Sequence, residues 1–300
     1  MQSQSSSACE VSPQVKLQIL LDRAGFSPGE IDGLAGSNTR RALIAFQESK
    51  DLKANGIPNQ ETLAALEESQ SELTTTYTIT TEDENGPFTK NIPEDEMEKA
   101  QLQALNYTSE QELLGEKFHV SPDVLRSMNP DSTFEAGDQI CVPDVLTESN
   151  SAESAGRNIT IIVSEKSSDL VVKNADGQIL FYAPVTAGSE HDPLPEGTWK
   201  VTRVTKNPTF YYNPDLFWEA DASHSKATIR PGPNNPVGII WIGLTAKHYG
   251  IHGTPEPGKI GHSESNGCVR LTNWDIVRVA KYVKPGTQVI FNDAKKMAKR

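Results

Sequence analysis

One thiol and one imidazole frame the functional question. Cys268 and His252 lie sixteen residues apart, within Ser265-Asn-Gly-Cys-Val-Arg270 and Tyr249-Gly-Ile-His-Gly-Thr254, segments that read as strand, loop and turn. A cysteine brought to an imidazole can serve as nucleophile and base. A free thiol is only slightly ionised near neutral pH and becomes strongly nucleophilic when an imidazole or backbone amides support the thiolate. Gly267, just before Cys268, lets the backbone approach a substrate closely, so the amides of Asn266, Gly267 and Cys268 can point at one carbonyl oxygen as it becomes an oxyanion. Acyl transfer needs that arrangement. The carbonyl of Gly253, next to His252, is placed to hold the imidazole in one tautomer, the part a carboxylate plays in other triads.

Two simpler readings compete. A lone cysteine is most often a small buried hydrophobe, but that accounts for neither Gly267 nor the His-Gly-Thr run. Zinc would find ligand types in His248, His252, His262 and Cys268. However, the H-x3-H spacing follows strand-like alternation and lacks the helical H-E-x-x-H context, so neither a metal nor a cofactor is expected. His119, His191 and His224 lie among polar or loop residues and are expected to be solvated.

The string HGTPEPGKIGHSESNGCVR resembles the signature of the L,D-transpeptidases, the YkuD-type catalytic domain of bacterial cell-wall enzymes: a His, a gap of about sixteen residues, then Ser-x-Gly-Cys-x-Arg. The resemblance extends upstream through Pro195-Glu-Gly-Thr-Trp199, Pro231-Gly-Pro-Asn-Asn-Pro-Val-Gly238 and Trp241-Ile-Gly-Leu244, and covers residues 158–292. Many members carry His or Lys where this chain has Asn266, which leaves that position a backbone role. The resemblance implies Cys268 as nucleophile, His252 as base and Gly253 as its orienting carbonyl. It assigns Asn266, Gly267, Arg270, Tyr249 and Trp241 to oxyanion or substrate contacts.

The positioning elements read as mostly strand. Ile159–Val163, Leu170–Lys173, Ile179–Tyr182, Thr198–Thr202, Ile239–Ile242 and Val289–Phe291 alternate or run apolar, with Asp176-Gly177 as a hairpin turn. One helix follows the nucleophile. Asn273 is expected to cap it, and Ile276, Val279, Ala280 and Val283 form its apolar stripe, bracing the Cys268 turn. A mainly-β, sandwich-like catalytic domain is therefore expected over residues 158–292. Trp218, Tyr211 and Tyr212 fall in a loop-like stretch that could wall the cleft or pack in a core.

Upstream, residues 12–68 read as a small all-α domain of three helices. Leu17, Leu20, Leu21 and Ala24 recur at helical spacing, as do Thr39, Ala42, Leu43 and Phe46, and Asn59 caps a last helix with Leu63 and Leu66. With Gly25-Phe-Ser-Pro-Gly-Glu-Ile-Asp-Gly33 between helices, this segment resembles a peptidoglycan-binding domain. Residues 75–145 read as a small α+β module: a strand at Tyr77–Thr80, helices opened by Ser109 and by Ser121-Pro122, a stop at Asn129-Pro130 and a closing strand at Gln139–Pro143. That order resembles a LysM domain, with an acidic insertion after the first strand. TEDENGPFTKNIPEDEMEKA, residues 81–100, reads as a solvated loop. Residues 146–157 read as a linker.

Composition fits this multidomain plan. At 300 residues and 36% hydrophobic, the chain suits two or three modest units better than one large globule. A net charge of −12 without clustered Lys and Arg excludes a phosphate-tracking surface, so no nucleic-acid partner is expected. The basic end, Lys295 to Arg300, reads as a frayed terminus. No apolar run approaches membrane-spanning length, and the polar opening Met1 to Cys9 has no h-region. For a wall enzyme this implies an extracytoplasmic, mature form whose export signal has been removed. The three cysteines show no disulfide framework; Cys9 falls in a tail and Cys141 in a strand, where core packing is expected, with pairing between the two as the alternative.

The family resemblance implies a concrete reaction. Cys268 attacks the carbonyl between the third residue and terminal D-Ala of a peptidoglycan stem tetrapeptide, D-Ala leaves, and an amine acceptor resolves the thioester. The partners are then glycan strands and stem peptides, with a wall-anchored protein as another acceptor. Carbapenems acylate this family. Water as acceptor would make the protein an L,D-carboxypeptidase, and a non-catalytic wall-binding scaffold is the alternative from a different class.

Overall fold

A computed structural model describes residues 9–67, 72–145 and 158–292. The expected linker at 146–157 and the basic end at 295–300 lie outside the described residues. Packing divides the chain into two units, Met1–Phe88 with Ser109–Ser149, and Thr89–Thr108 with Asn150–Arg300.

The first unit begins with three helices, α1 (Pro13–Arg23), α2 (Ser37–Ser49) and α3 (Gln60–Glu67). Ser12 caps α1 through its hydroxyl on the Val15 amide, and Asn59 accepts from the Thr62 amide at the start of α3. The apolar stripes point inward, with Leu17, Leu20, Leu21, Ala42, Leu43 and Phe46 all buried. Strand β1 (Thr74–Thr78) leads into a short helix α4 (Thr81–Asn85) held by a Thr80/Asp83 capping box. The chain leaves this unit for α5 (Glu96–Lys99) and returns in α6 (Glu110–Lys117) and α7 (Pro122–Met128), capped by Ser109 and Ser121. Strand β2 (Gln139–Pro143) then closes antiparallel on β1.

Three expectations change here. Val15, Ile19 and Ile31 share one core with Leu114, Phe118, Leu125 and Ile140, so the helical segment and the strand-helix-helix-strand segment pack as one body. Cys141 is bonded to Cys9 across a separation of 132 residues, because the fold brings β2 to the lead-in of α1, a proximity that no local spacing records. His119 is buried rather than solvated, and its Nδ1 lies 3.2 Å from the Asp22 carboxylate.

The second unit is built on a nine-stranded sheet ordered β5-β4-β3-β13-β7-β10-β11-β12-β6. Its strands are β3 (Thr160–Ser164), β4 (Asp169–Lys173), β5 (Ile179–Pro184), β6 (Thr186–Ala187), β7 (Gly197–Lys206), β10 (Ile240–Leu244), β11 (Gly250–His252), β12 (Val269–Arg270) and β13 (Gln288–Asn292). The long strand β7 joins its halves: Gly197–Lys200 pair with β13 and Val201–Lys206 with β10. Alternation along the outer strands sends Ile161, Val163, Leu170 and Val172 into the same core as Ile242, Ile251 and Val269. Helix α8 (Asn273–Tyr282) lays Ile276 and Val279 on that core. Thr272, not Asn273, caps it, accepting from the Asp275 amide. Asn273 is instead buried, bonding the Ile239 amide and the Pro233 carbonyl.

The acidic stretch is not a loose loop. Its second half belongs to residues 89–108, which fold with the second unit and supply Leu105, fully buried against Tyr212 and Ile229 of the hairpin β8 (Phe210–Tyr212) and β9 (Ala227–Ile229). Leu105 was hidden from sequence reading because its partners lie more than a hundred residues away. Leu105→Ala should therefore destabilise the second unit by about 2–5 kcal/mol through lost burial and a cavity. A denaturant titration of the full chain followed by Trp fluorescence checks this, and an unchanged midpoint would place the segment outside that core.

Candidate active site

The two candidate side chains sit on and just before neighbouring parallel strands. β11 and β12 pair with Ile251 opposite Val269 and His252 opposite Arg270, which sets Cys268 just before the strand, beside Gly250. Both side chains line one cleft of about 1300 Å3, together with Trp241, Tyr249, Asn266 and Arg270.

The imidazole is fixed by a hydrogen bond and a stacked ring. His252 is 3% exposed, so its orientation cannot be left to water. Its Nδ1–H donates to the Gly253 carbonyl at 2.7 Å, which leaves Nε2 as the basic nitrogen. The Trp241 ring stacks on it at 5.3 Å with 17° between planes, because the two residues are cross-strand partners in β10 and β11. Gly253 must be small: a Cβ there would collide with the Asn273 side-chain oxygen.

The thiol sits at a constrained turn. Ser265 is the pin, donating its hydroxyl to the Cys268 carbonyl at 2.6 Å while accepting from the Gly188 amide at 2.8 Å; its own amide bonds the Gly188 carbonyl. Gly267 has φ +88°, and a Cβ there would press on the Tyr249 ring at 2.9 Å. Outside the strand ladders, no backbone hydrogen bond among the described residues takes up the amides of Asn266, Gly267 or Cys268. They remain available to a ligand oxygen.

The family model of the L,D-transpeptidase catalytic domain, YkuD, matches residues 158–291, and that of the peptidoglycan binding domain matches residues 13–66. The Bacillus subtilis protein YqjB, an L,D-transpeptidase by designation, is 34% identical over 139 residues, which is 44% of this chain and 70% of YqjB. The chain belongs to the L,D-transpeptidase family. YkuD of Bacillus subtilis is 45% identical over 60 residues, 20% of this chain and 37% of that protein, so the aligned region spans little more than a third of that relative. A solved L,D-transpeptidase 3 from Mycobacterium tuberculosis, in complex with a faropenem-derived adduct, aligns at 16% identity over 46% of this chain and 61% of its own, with a TM-score of 0.38.

In this L,D-transpeptidase family member both reactive groups rest neutral. Burial, reinforced by the nearby Arg270 charge, pushes the His252 pKa down from 6.5 to about 3, with the Gly253 carbonyl opposing weakly. Burial pushes the Cys268 thiol up from its ordinary value, against the pull of the Gly250 amide and Arg270. The thiol and the imidazole are thus each held neutral, and the Cys268 thiol donates to the His248 carbonyl at 3.7 Å. Arg270 makes no ion pair among the described residues and lines the cleft.

The aromatic stretch divides in two. Tyr212 is buried in the Leu105 core, whereas Tyr211 is 75% exposed and Trp218 56% exposed, the latter against the His191 ring at 4.2 Å. His224 is also engaged, bridging the Tyr212 hydroxyl and the Asp95 carboxylate at 2.8 Å each. Sequence reasoning missed Ser265 and Asn273 as supports and Glu94 to Glu96 as cleft residues. Ser265 could have been found, since it opens the Ser-x-Gly-Cys run; the acids had no local signal. Among the described residues no three His, Cys, Asp or Glu side chains converge as metal ligands.

A neutral buried pair has a spectroscopic consequence. The His252 ring should show no protonation midpoint between pH 8 and pH 4.5 by NMR, because its transition lies at about 3. Alkylation of Cys268, the thiol left outside the disulfide, should accelerate with pH without levelling below pH 9. A His252 midpoint near 6.5 would show a hydrated ring.

Proposed function

We propose that the protein is a cysteine-dependent L,D-transpeptidase that acts on peptidoglycan stem tetrapeptides through a thioester on Cys268. What supports this most is one observation: a free thiol and a buried imidazole with a fixed tautomer line the same cleft as unclaimed backbone amides. In acylation, Cys268 Sγ attacks the carbonyl before terminal D-Ala as its proton passes to His252 Nε2. The carbonyl electrons move onto oxygen, where the amides of Asn266, Gly267 and Cys268 receive the charge. Collapse breaks the C–N bond, and the imidazolium gives its proton to the departing D-Ala amine. An imidazole with so low a pKa makes a strong acid once protonated, which suits that second task.

In deacylation an amine attacks the thioester carbonyl, the C–S bond breaks, and a proton returns to sulfur. The unpaired Arg270 guanidinium is suited to a donor carboxylate, which it can grip with two parallel hydrogen bonds. Tyr249 and Trp241 then serve through shape, one packed on the Gly267 turn and one on the imidazole.

The modules of the first unit would hold the enzyme on its polymer, raising the local concentration of stems without altering the site. For the helical segment this rests on the peptidoglycan binding match, and for the β1-α6-α7-β2 segment on its LysM-like order. An extracytoplasmic location follows from the substrate and agrees with the Cys9–Cys141 disulfide, a bond that persists in oxidising compartments. No described helix is long and apolar enough to cross a membrane.

A carbapenem tests the thioester step directly, since its strained carbonyl reports acylation and its opened ring stays attached. Intact-mass analysis should show one inhibitor mass, located on the peptide holding Cys268 and absent in Cys268→Ala. His252→Ala should slow adduct formation by roughly a hundredfold or more, the usual contribution of a positioned base. A chelator should change nothing. Absence of an adduct on folded protein would favour the scaffold reading, and loss of activity on chelation would favour zinc.

A further inference from the structure

Glu165 lies in the turn between β3 and β4, at the opposite end of the sheet order from β12 and β6, yet its carboxylate reaches the loop that follows β6. Its Oε2 accepts from the Leu194 amide at 3.2 Å, where the leucine side chain is fully buried. At the start of the loop Gly188 has φ +65°, and a Cβ there would lie 3.0 Å from the Glu165 carboxyl carbon and 3.1 Å from Oε2. One carboxylate therefore supports both ends of residues 188–194. Between those ends the Ser189 hydroxyl accepts from the Asp192 amide at 2.9 Å and the Asp192 carbonyl from the Ser189 amide at 3.1 Å, which closes the loop on itself.

This loop touches the Cys268 turn on two sides. The Gly188 amide donates to Ser265 Oγ at 2.8 Å and the Gly188 carbonyl accepts from the Ser265 amide at 3.0 Å, while Ser265 Oγ donates onward to the Cys268 carbonyl at 2.6 Å. Near the other end the Pro193 carbonyl accepts from the Tyr249 hydroxyl at 3.4 Å, and the Tyr249 ring is what a Cβ on Gly267 would strike. The Asp192 Cβ stands behind the same glycine, 3.7 Å from where that Cβ would be. The amides of Asn266, Gly267 and Cys268 are thus held between two contacts that both lead back to the loop. A displacement of about 1 Å in groups that must meet a transition state can cost a hundredfold in rate.

We propose that Glu165 is a positioning residue of the acyl-transfer reaction: by holding residues 188–194 it fixes, through Ser265 and Tyr249, the backbone amides of Asn266, Gly267 and Cys268 where the tetrahedral oxyanion forms. The inference rests on the transpeptidase reading and adds to it a residue that is not among those lining the cleft. A carboxylate suits the task because its hydrogen bond to a backbone N–H is charge-assisted and stronger than a neutral one. The effect falls on the oxyanion rather than on the thiol. Attack of Cys268 on a carbonyl places negative charge on oxygen and needs the amides, whereas alkylation by iodoacetamide displaces iodide from carbon and forms no oxyanion. The two reactions of one sulfur therefore separate this role from a general loosening of the fold.

The experiment compares both reactions in the full-length protein, with a purified stem tetrapeptide as donor and iodoacetamide as the alkylating probe; Cys9 and Cys141 are bonded to each other, so alkylation reports Cys268. In Glu165→Ala the kcat for D-Ala release should fall roughly ten- to a hundredfold with KM held within about twofold. Alkylation of Cys268 should stay within about twofold of the wild-type rate, since it does not draw on the amides. Glu165→Gln keeps an oxygen that can accept from Leu194 and should recover most of kcat. Glu165→Asp, which keeps the charge but shortens the reach, should lose roughly three- to tenfold in kcat with the same split, and decides the case if the alanine variant does not fold. An unchanged kcat in the alanine and aspartate variants, a loss carried by KM, a parallel fall in alkylation, or a glutamine variant as impaired as alanine would each overturn the proposal. Failure of the wild-type protein to release any D-Ala would instead overturn the transpeptidase reading beneath it.

Discussion

The removal of the His252 imidazole from water is the constraint on which the rest of the site depends. An unpaired polar ring at 3% exposure is tolerable only if its N–H is satisfied and its faces are packed. The Gly253 carbonyl satisfies the N–H and Trp241 covers a face. Each of those solutions imposes another. Gly253 can present its carbonyl there only because no side chain displaces Asn273, and Asn273 is held by Ile239 and Pro233 at the first turn of α8. The helix behind Cys268 thus shapes the loop around His252. Burial has an electrostatic result as well, since it holds the ring neutral far below the ordinary imidazole range.

Chain order and spatial order diverge in both units. In the first, a disulfide and one continuous core tie α1 to the β1-β2 pair. In the second, a stretch that precedes the catalytic region by fifty residues completes the core beneath the β8-β9 hairpin and supplies part of the cleft wall. A fragment starting at residue 158 would lack Leu105 and expose Tyr212 and Ile229. The catalytic unit is therefore discontinuous in sequence.

How much of this the residues disclosed depends on the range of the interaction. The strands of the second unit were legible because period-two alternation is local: Ile161 and Val163 face inward together whatever lies opposite. Caps such as Ser12, Asn59 and Ser121 were legible for the same reason, as each acts within four residues. The role of Asn273 was misread because Thr272, one residue earlier, offers the same chemistry and side-chain direction decides between them. The Asp22–His119 pair and the Asp95–His224 contact were not legible at all, and the Cys9–Cys141 bond only as an alternative to core packing. Each joins residues far apart in the chain whose local patterns suggest solvent or tail. The candidate site lies between these cases: the spacing of His252 and Cys268 pointed to one centre, but the low basicity of the ring and the acids facing it emerge only from the packing around them.

Everything proposed for the site depends on Cys268 taking up the acyl group of a stem peptide. Time-resolved mass spectrometry of the full-length protein mixed with purified stem tetrapeptide measures this most directly. The mass should first rise by the tripeptide acyl group, located at Cys268, as D-Ala is released in equal amount; the adduct should then decay as a cross-linked dimer of stems accumulates. Folded protein with Cys268 as a free thiol that neither gains that mass nor releases D-Ala would contradict it.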